Sequence, residues 1–191
     1  MTKNIMIVGV GGQGSLLASR IIGDAALIDG HDVKVSEVHG MSQRGGSVVT
    51  YVKYGKKVAS PIICKGEADI ILSFELLEAA RWLPYLKKNG TIVVNTQKIN
   101  PMPVVNGTME YPEELVKKMK DKGINVIAAD TLEIAKQAGN EKAANVALIG
   151  LASKYLGFSE ETLEKALEEA VPQKFLELNK KAFALGVAAV E

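Results

Sequence analysis

Residues 9–14 read Gly9-Val10-Gly11-Gly12-Gln13-Gly14 and stand between an apolar run, 5–10, and a segment, 15–28, whose apolar positions Leu17, Ile21, Ala25 and Ile28 recur at helical spacing. A strand, a glycine turn and a helix in that order are the opening unit of an open α/β sheet, and few other folds accommodate them. The turn contains a G-x-G-x-x-G match at Gly9, Gly11 and Gly14. Glycine lets the backbone turn tightly and approach a ligand, while the free amides of a helix start favour an anion. Two roles stay open for Gly9, Gly11, Gly12, Gln13 and Gly14: contact with a phosphate or other anion, or close packing of strand on helix.

The rest of the chain continues the alternation. Ile5-Met6-Ile7-Val8 is the unbroken apolar run of a central strand covered on both faces. Val33 and Val35 alternate with Lys34 and Ser36 in a second strand. Residues 47–54 are rich in β-branched and aromatic side chains, and Gly55-Lys56 can turn them into 58–63, which predicts a β-hairpin. Strands are then predicted at 69–74, 91–95 and 125–129, with helices at 75–82 and from Pro112 to near Gly123. Asp130 with Glu133 forms a start resembling a capping box. Helices are predicted over 143–156, 159–170 and 172–190. The pattern implies a three-layer α/β/α sandwich with a mostly parallel, mixed sheet including one β-hairpin. The helical C-terminal third either folds back on the sheet or forms a partner-binding arm. Phe175, Leu178, Phe183 and Leu185 are candidates for subunit contact, with core packing as the other reading. Residues 1–191 are taken as one domain.

Composition excludes several classes. Among 191 residues, 23 Lys and Arg stand against 22 Asp and Glu, a formal charge of +1, which gives no support for a nucleic-acid-binding surface. No run approaches the ~20 apolar residues needed to span a bilayer, and the amino terminus lacks a signal-peptide pattern, so a soluble, cytoplasmic protein is expected. One cysteine, Cys64, permits no disulfide framework and cannot supply the thiolates of an iron–sulfur cluster. It ends an apolar run and reads as a small core or edge residue. His31 and His39 have no zinc-binding spacing, and neither a phosphate-loop motif nor a nucleophile elbow occurs. Glu67 and Asp69 read as solvated loop charges. No self-contained active site is legible.

A second glycine-rich loop, His39-Gly40-Met41-Ser42-Gln43-Arg44-Gly45-Gly46, follows the second strand. It is expected at the same carboxyl edge as the first, where ligands of open α/β sheets collect. Arg44 can grip a carboxylate or phosphate in bidentate fashion, and Ser42 and Gln43 add hydrogen-bonding groups. His39, without a visible partner, reads as an ordinary loop residue. Glu37 ends the second strand 23 residues beyond Gly14, where a dinucleotide fold places its ribose-binding acid. A simple dehydrogenase, however, follows its second strand with a helix, and here a glycine loop leads into a hairpin.

The two loops taken together resemble the gamma-type domain of the pyruvate and 2-oxoacid:ferredoxin oxidoreductases, in particular the beta subunits of the indolepyruvate type. Asn145-Val146-Ala147-Leu148-Ile149-Gly150 is also similar to a helix start in that family. The resemblance spans nearly the whole chain. It implies an accessory subunit of an enzyme that oxidatively decarboxylates 2-oxoacids, arylpyruvates for the indolepyruvate type, to acyl-CoA and carbon dioxide. Thiamine diphosphate, magnesium and iron–sulfur clusters would lie on a large alpha subunit, and electrons would leave to ferredoxin. The resemblance does not assign the loop residues one by one; the expectation here is that Gly11, Gly12, Gln13 and Gly14 meet a phosphate, that of coenzyme A, and that Ser42, Gln43 and Arg44 border the partner's active site. The remaining readings are a stand-alone NAD(P)-dependent dehydrogenase using Gly9, Gly11, Gly14 and Glu37, and a non-catalytic nucleotide- or coenzyme-A-binding module.

Overall fold

The computed structural model describes residues 2–37 and 40–190. Six strands, β1 (Lys3–Val10), β2 (Asp32–Glu37), β3 (Ser47–Gly55), β4 (Ala68–Ser73), β5 (Leu86–Asn95) and β6 (Asn125–Ala129), form one sheet in the order β2-β3-β1-β4-β5-β6. Strands β1, β4, β5 and β6 run parallel, and β3 is antiparallel to both of its neighbours. Helices α1 (Ser15–Ile28), α2 (Leu76–Trp82), α3 (Met102–Val105), α4 (Leu115–Asp121), α5 (Thr131–Ala138), α6 (Ala144–Leu156), α7 (Glu160–Ala170) and α8 (Leu176–Ala188) cover it on both faces.

The period-2 geometry of β1 explains the layering. Ile5 and Ile7 face one core, with Val52 and Tyr54 of β3 and helices α1, α6 and α7. Met6 and Val8 face the other, with Leu76 and Ala79 of α2 and Leu115 and Met119 of α4. The fold is therefore the α/β three-layer sandwich the alternation implies. No helix among the described residues is long and apolar enough to cross a membrane.

The hairpin expected over 47–63 does not form. Its first arm is β3, but no strand follows within 56–67. Both edges of β3 are already occupied, by β1 and β2, so no ladder remains for a third neighbour. Pro61 also lacks the amide a ladder would need. The segment is held by side chains instead: Val58 and Ile63 are buried, and the Val58 amide donates to Asp32 Oδ2 at 2.8 Å. Asp69 is likewise no solvated loop charge, because it accepts from the Asn4 amide at 2.8 Å and pairs with Lys87. Cys64 is exposed and so belongs to the edge, outside the core.

The C-terminal third folds back on the sheet. Ten of the thirteen residues of α6 are buried, which makes it a core helix, and Leu163, Ala166 and Leu167 of α7 join the same cluster. Phe183 belongs to this core, Leu178 and Leu185 pack against a separate small cluster of Ala135, Ala138, Ala143, Ala147 and Ala182, and Phe175 is exposed. The expected Pro112 start of α4 moves to Leu115, preceded by Glu114 in the left-handed region at φ 55°. Asp130 caps α5 as its spacing implies, accepting from the Glu133 amide at 3.0 Å.

Candidate functional site

The helix after β1 packs on one face of the sheet and the helix after β4 on the other. The carboxyl ends of these adjacent strands therefore form a topological switch point, where open α/β sheets take ligands. The side chain of Gln13 spans it. Its Oε1 accepts from the Val10 amide at 2.8 Å, and its Nε2 donates to the Phe74 carbonyl at 2.9 Å and to Gln97 Oε1 at 3.3 Å. Gln13 thus ties the first glycine turn to the end of β4. Gln13→Ala strands the half-buried Val10 amide and is expected to cost about 2 kcal/mol. Urea denaturation measures this directly; a loss below about 0.5 kcal/mol, the size of a neutral surface change, would contradict that role.

The glycines divide by what surrounds them. A Cβ on Gly9 would sit 2.9 Å from Gln13 Oε1 and 3.0 Å from the Phe74 Cβ. On Gly11 it would sit 2.3 Å from the Gln43 carbonyl carbon and 2.4 Å from the Ser42 oxygen. Gly14, at φ 87°, precedes α1, and a Cβ there would lie 2.4 Å from Asn145 Nδ2. Gly12 alone of the four faces open space, at φ 97°. Helix α1 begins without a side-chain cap.

The second loop is zipped onto the first. The Gly11 amide donates to the Gly46 carbonyl and the Gly46 amide to the Ser42 carbonyl, each at 2.9 Å. Residues Met41–Gln43 form a single 3₁₀ turn. Ser42 and Arg44 are exposed, and Arg44 makes no ion pair among the described residues. Gln43 lines a cavity of about 270 Å³ with Gly11, Gly12 and Leu16. His39 lies outside the described residues.

Glu37 does not stand where a ribose-binding acid would. Antiparallel β3 separates β2 from β1, and Glu37 Oε1 accepts from Ser19 Oγ of α1 at 2.8 Å. A dinucleotide fold has its second strand parallel to and beside the first. Among the described residues no group of three or more His, Cys, Asp or Glu is placed to hold a metal.

Two buried carboxylates escape a motif search. Glu75 and Glu78, 1% and 4% exposed, flank the start of α2. Glu75 accepts from the Ile99 amide at 3.1 Å, the Glu78 amide at 2.8 Å and the Tyr111 hydroxyl at 2.6 Å. Burial, reinforced by that carboxylate, pushes the Tyr111 hydroxyl pKa well above its ordinary value. Glu78 accepts from Ser47 Oγ at 2.5 Å, Arg81 Nε at 3.0 Å and Trp82 Nε1 at 3.2 Å. Ser47 is the exit of the second glycine loop, so Glu78 anchors that loop to α2. The signal was Ser73-Phe74-Glu75-Leu76-Leu77-Glu78, in which two acids interrupt an apolar strand–helix junction.

On the opposite side of the first turn a cavity of about 450 Å³ opens between Gly12, Gly14, Asn95, Gln97, Lys142 and Asn145. Of these the glycines belong to the first motif, and Asn145 opens the segment 145–150 already singled out in the sequence. The others come from the end of β5 and the entry to α6, which only the folded chain brings to the turn.

Comparison with known proteins places this geometry. A family model described as pyruvate ferredoxin/flavodoxin oxidoreductase matches residues 4–189. The chain is 45% identical to the indolepyruvate oxidoreductase subunit IorB of Thermococcus kodakarensis, over 98% of this chain and 96% of that protein. Among solved structures it is similar to the gamma subunit of a keto/oxoacid ferredoxin oxidoreductase from Geobacter sulfurreducens, with a TM-score of 0.73, 27% identity and 98% of each chain covered. The same fold recurs in a 2-oxoglutarate:ferredoxin oxidoreductase from Magnetococcus marinus, solved with 2-oxoglutarate, coenzyme A and succinyl-CoA bound. There the TM-score is 0.74 at 19% identity, over 99% of this chain and 31% of that one.

Proposed function

Because this chain belongs to the pyruvate ferredoxin/flavodoxin oxidoreductase family and is an accessory subunit of a 2-oxoacid:ferredoxin oxidoreductase, we propose that it serves the indolepyruvate type of enzyme. The reaction converts an arylpyruvate, coenzyme A and two oxidised ferredoxins into an aryl-acetyl-CoA, carbon dioxide, two reduced ferredoxins and a proton. Thiamine diphosphate with magnesium, and the iron–sulfur clusters, belong to a larger alpha subunit. A chain with one cysteine has no thiolate set for a cluster.

The observation that carries this reading is the pairing of two glycine loops at one sheet edge, with exposed groups but, among the described residues, no catalytic constellation of their own. Gly11 and Gly46 lock the loops together, which presents Ser42, Gln43 and Arg44 as one rigid surface. Exposed Met41 and Met102 border the same loops and suit an interface that loses water when a partner docks. The role assigned to Ser42, Gln43 and Arg44 is to complete the partner's substrate cleft. The glycine turn, through Gly12 and Gly14, meets a phosphate of coenzyme A.

Co-expression with a large, cysteine-rich, thiamine-dependent partner tests this, with viologen reduction by indolepyruvate and coenzyme A as the readout. Activity is expected only from the complex. Arg44→Ala is expected to lower kcat/KM at least about tenfold, the value of one charge-assisted hydrogen bond. Turnover by either chain alone, or full activity in the Arg44→Ala complex, would remove the assignment.

A further inference from the structure

A groove of about 510 Å³ runs between α1 and β2, at the outer edge of the sheet. Of its lining residues, Leu16, Leu27 and Val35 are exposed large hydrophobics, an arrangement that marks an interaction surface. The strand beside it has an open edge. β2 pairs with β3 alone, and its continuous register carries neither a bulge nor a proline to deter further pairing. Gly23 keeps the groove deep. A Cβ there would meet only methyls of Val35 at 3.7 Å and Val33 at 4.0 Å, ordinary contacts that alanine tolerates. Glycine inside a helix costs about 1 kcal/mol against alanine, so its retention points to an occupant from outside the chain.

The charges identify that occupant, because the surface complements itself. Leu16, Arg20, Gly23, Asp24 and Leu27 recur at spacings of three and four and share one face of α1. Laid antiparallel on a second copy, about a two-fold axis at the level of Ile22, this face sets Arg20 against Asp24 of the other copy. The same rotation sets Asp24 against Arg20, and Leu16 falls beside Leu27 and Ile28. Within one helix Arg20 Nε already stands 3.8 Å from Asp24 Oδ2, so the axis creates a ring of four alternating charges.

The strand selects the same axis independently. Opposed residues of an antiparallel pair point to one face, so a strand paired with its own copy has a single residue on the axis. A centre at Lys34 opposes like charges, which destabilises the pair. A centre at Val35 sets Lys34 against Ser36 and Val33 against Glu37, with no like charges opposed. Val35 is the strand residue that Gly23 approaches most closely, one position from Ile22. Helix and strand therefore share one two-fold axis.

We infer that this edge is a homodimer interface, in which β2 pairs antiparallel with β2 of a second copy and the two α1 helices pack antiparallel above the junction. The contact is isologous and closes on itself. It does not depend on the reading under Proposed function.

Sedimentation velocity of the full chain across micromolar concentrations tests the inference. A species of twice the 20.4 kDa chain mass is expected. Arg20→Glu or Asp24→Arg alone opposes like charges across the axis and is expected to weaken the dimer at least about tenfold. An equimolar mixture of these two variants is expected to recover it, because each altered side chain then faces an opposite charge. Mixing cannot repair the pair lost within each helix, so a merely structural role would give no recovery. Leu27→Glu, at a position 62% exposed, is expected to give a monomer. A monomer throughout, a dimer indifferent to all three substitutions, or a mixture no tighter than its components would overturn the inference. So would variants that lose only co-purification with the alpha subunit while the parent chain stays monomeric, since the groove would then seat that partner. Failure of the subunit reading would appear separately, in the viologen assay.

Discussion

Gly150→Val is expected to destabilise the protein by about 3 kcal/mol or more, the upper part of the range for overpacked cores. Helices α6 and α8 cross here with backbone against backbone. A Cβ on Gly150 would fall 2.2 Å from the Phe183 carbonyl oxygen, and one on Gly186 would fall 2.1 Å from the Ala147 oxygen. Neither obstacle is the flexible end of a side chain, so the helices themselves must separate. Their separation would also disturb Ala147 and Phe183, which belong to buried clusters. For a domain of this size the loss corresponds to a fall in Tm of roughly 10 °C. Gly157→Ala is the matched control. Gly157 ends α6 at φ 84° with nothing within 4 Å, so alanine there meets only backbone strain and should cost about 1 kcal/mol. Similar Tm values for the two variants would show that the crossing is looser than this geometry.

Gly11→Ala is expected to pull the two glycine loops apart while leaving the sheet intact. The added carbon would meet only main-chain atoms, those of Ser42 and Gln43, so relief requires movement of the second loop. That movement stretches the 2.9 Å bond from the Gly11 amide to the Gly46 carbonyl. Trypsin cleavage after exposed Arg44, followed by mass spectrometry, should accelerate about tenfold or more, the effect of losing roughly 1.4 kcal/mol of local protection. Gly12→Ala supplies the comparison, because Gly12 has a positive φ of 97° but nothing within 4 Å. Equal cleavage rates in Gly11→Ala and the parent protein would mean that the loops do not hold one another. Under the proposed function, Gly11→Ala also reduces activity of the assembled enzyme, since Ser42, Gln43 and Arg44 lose their common orientation.

Local patterns in the chain predict most of the elements. Helix α1 begins and ends at the residues its apolar spacing marks, and β6 does the same. Asp130 and Ser159 cap their helices through their own side chains, so these boundaries are encoded within three or four residues. The misplaced hairpin has the opposite character. Residues 47–63 carry hairpin chemistry, yet β3 enters between β2 and β1 and both of its edges are used. Competition for an edge is a property of the whole sheet, and no window of the sequence contains it.

The candidate site divides in the same way. Gly9 to Gly14 and Ser42 to Arg44 are contiguous, and their backbone chemistry is written in their order. Glu75 and Glu78 carry no comparable local signature, because each acquires its meaning from a partner more than thirty residues away in the chain: Ser47 for Glu78 and Tyr111 for Glu75. Periodicity and glycine placement determined the fold class, and the lone cysteine leaves no thiolate set for a cluster. Which glycine faces open space, and which carboxylates are buried, were decided only when distant segments met. Steric exclusion and hydrogen-bond satisfaction act between neighbours in space, and those neighbours exist only after the sheet has ordered its strands.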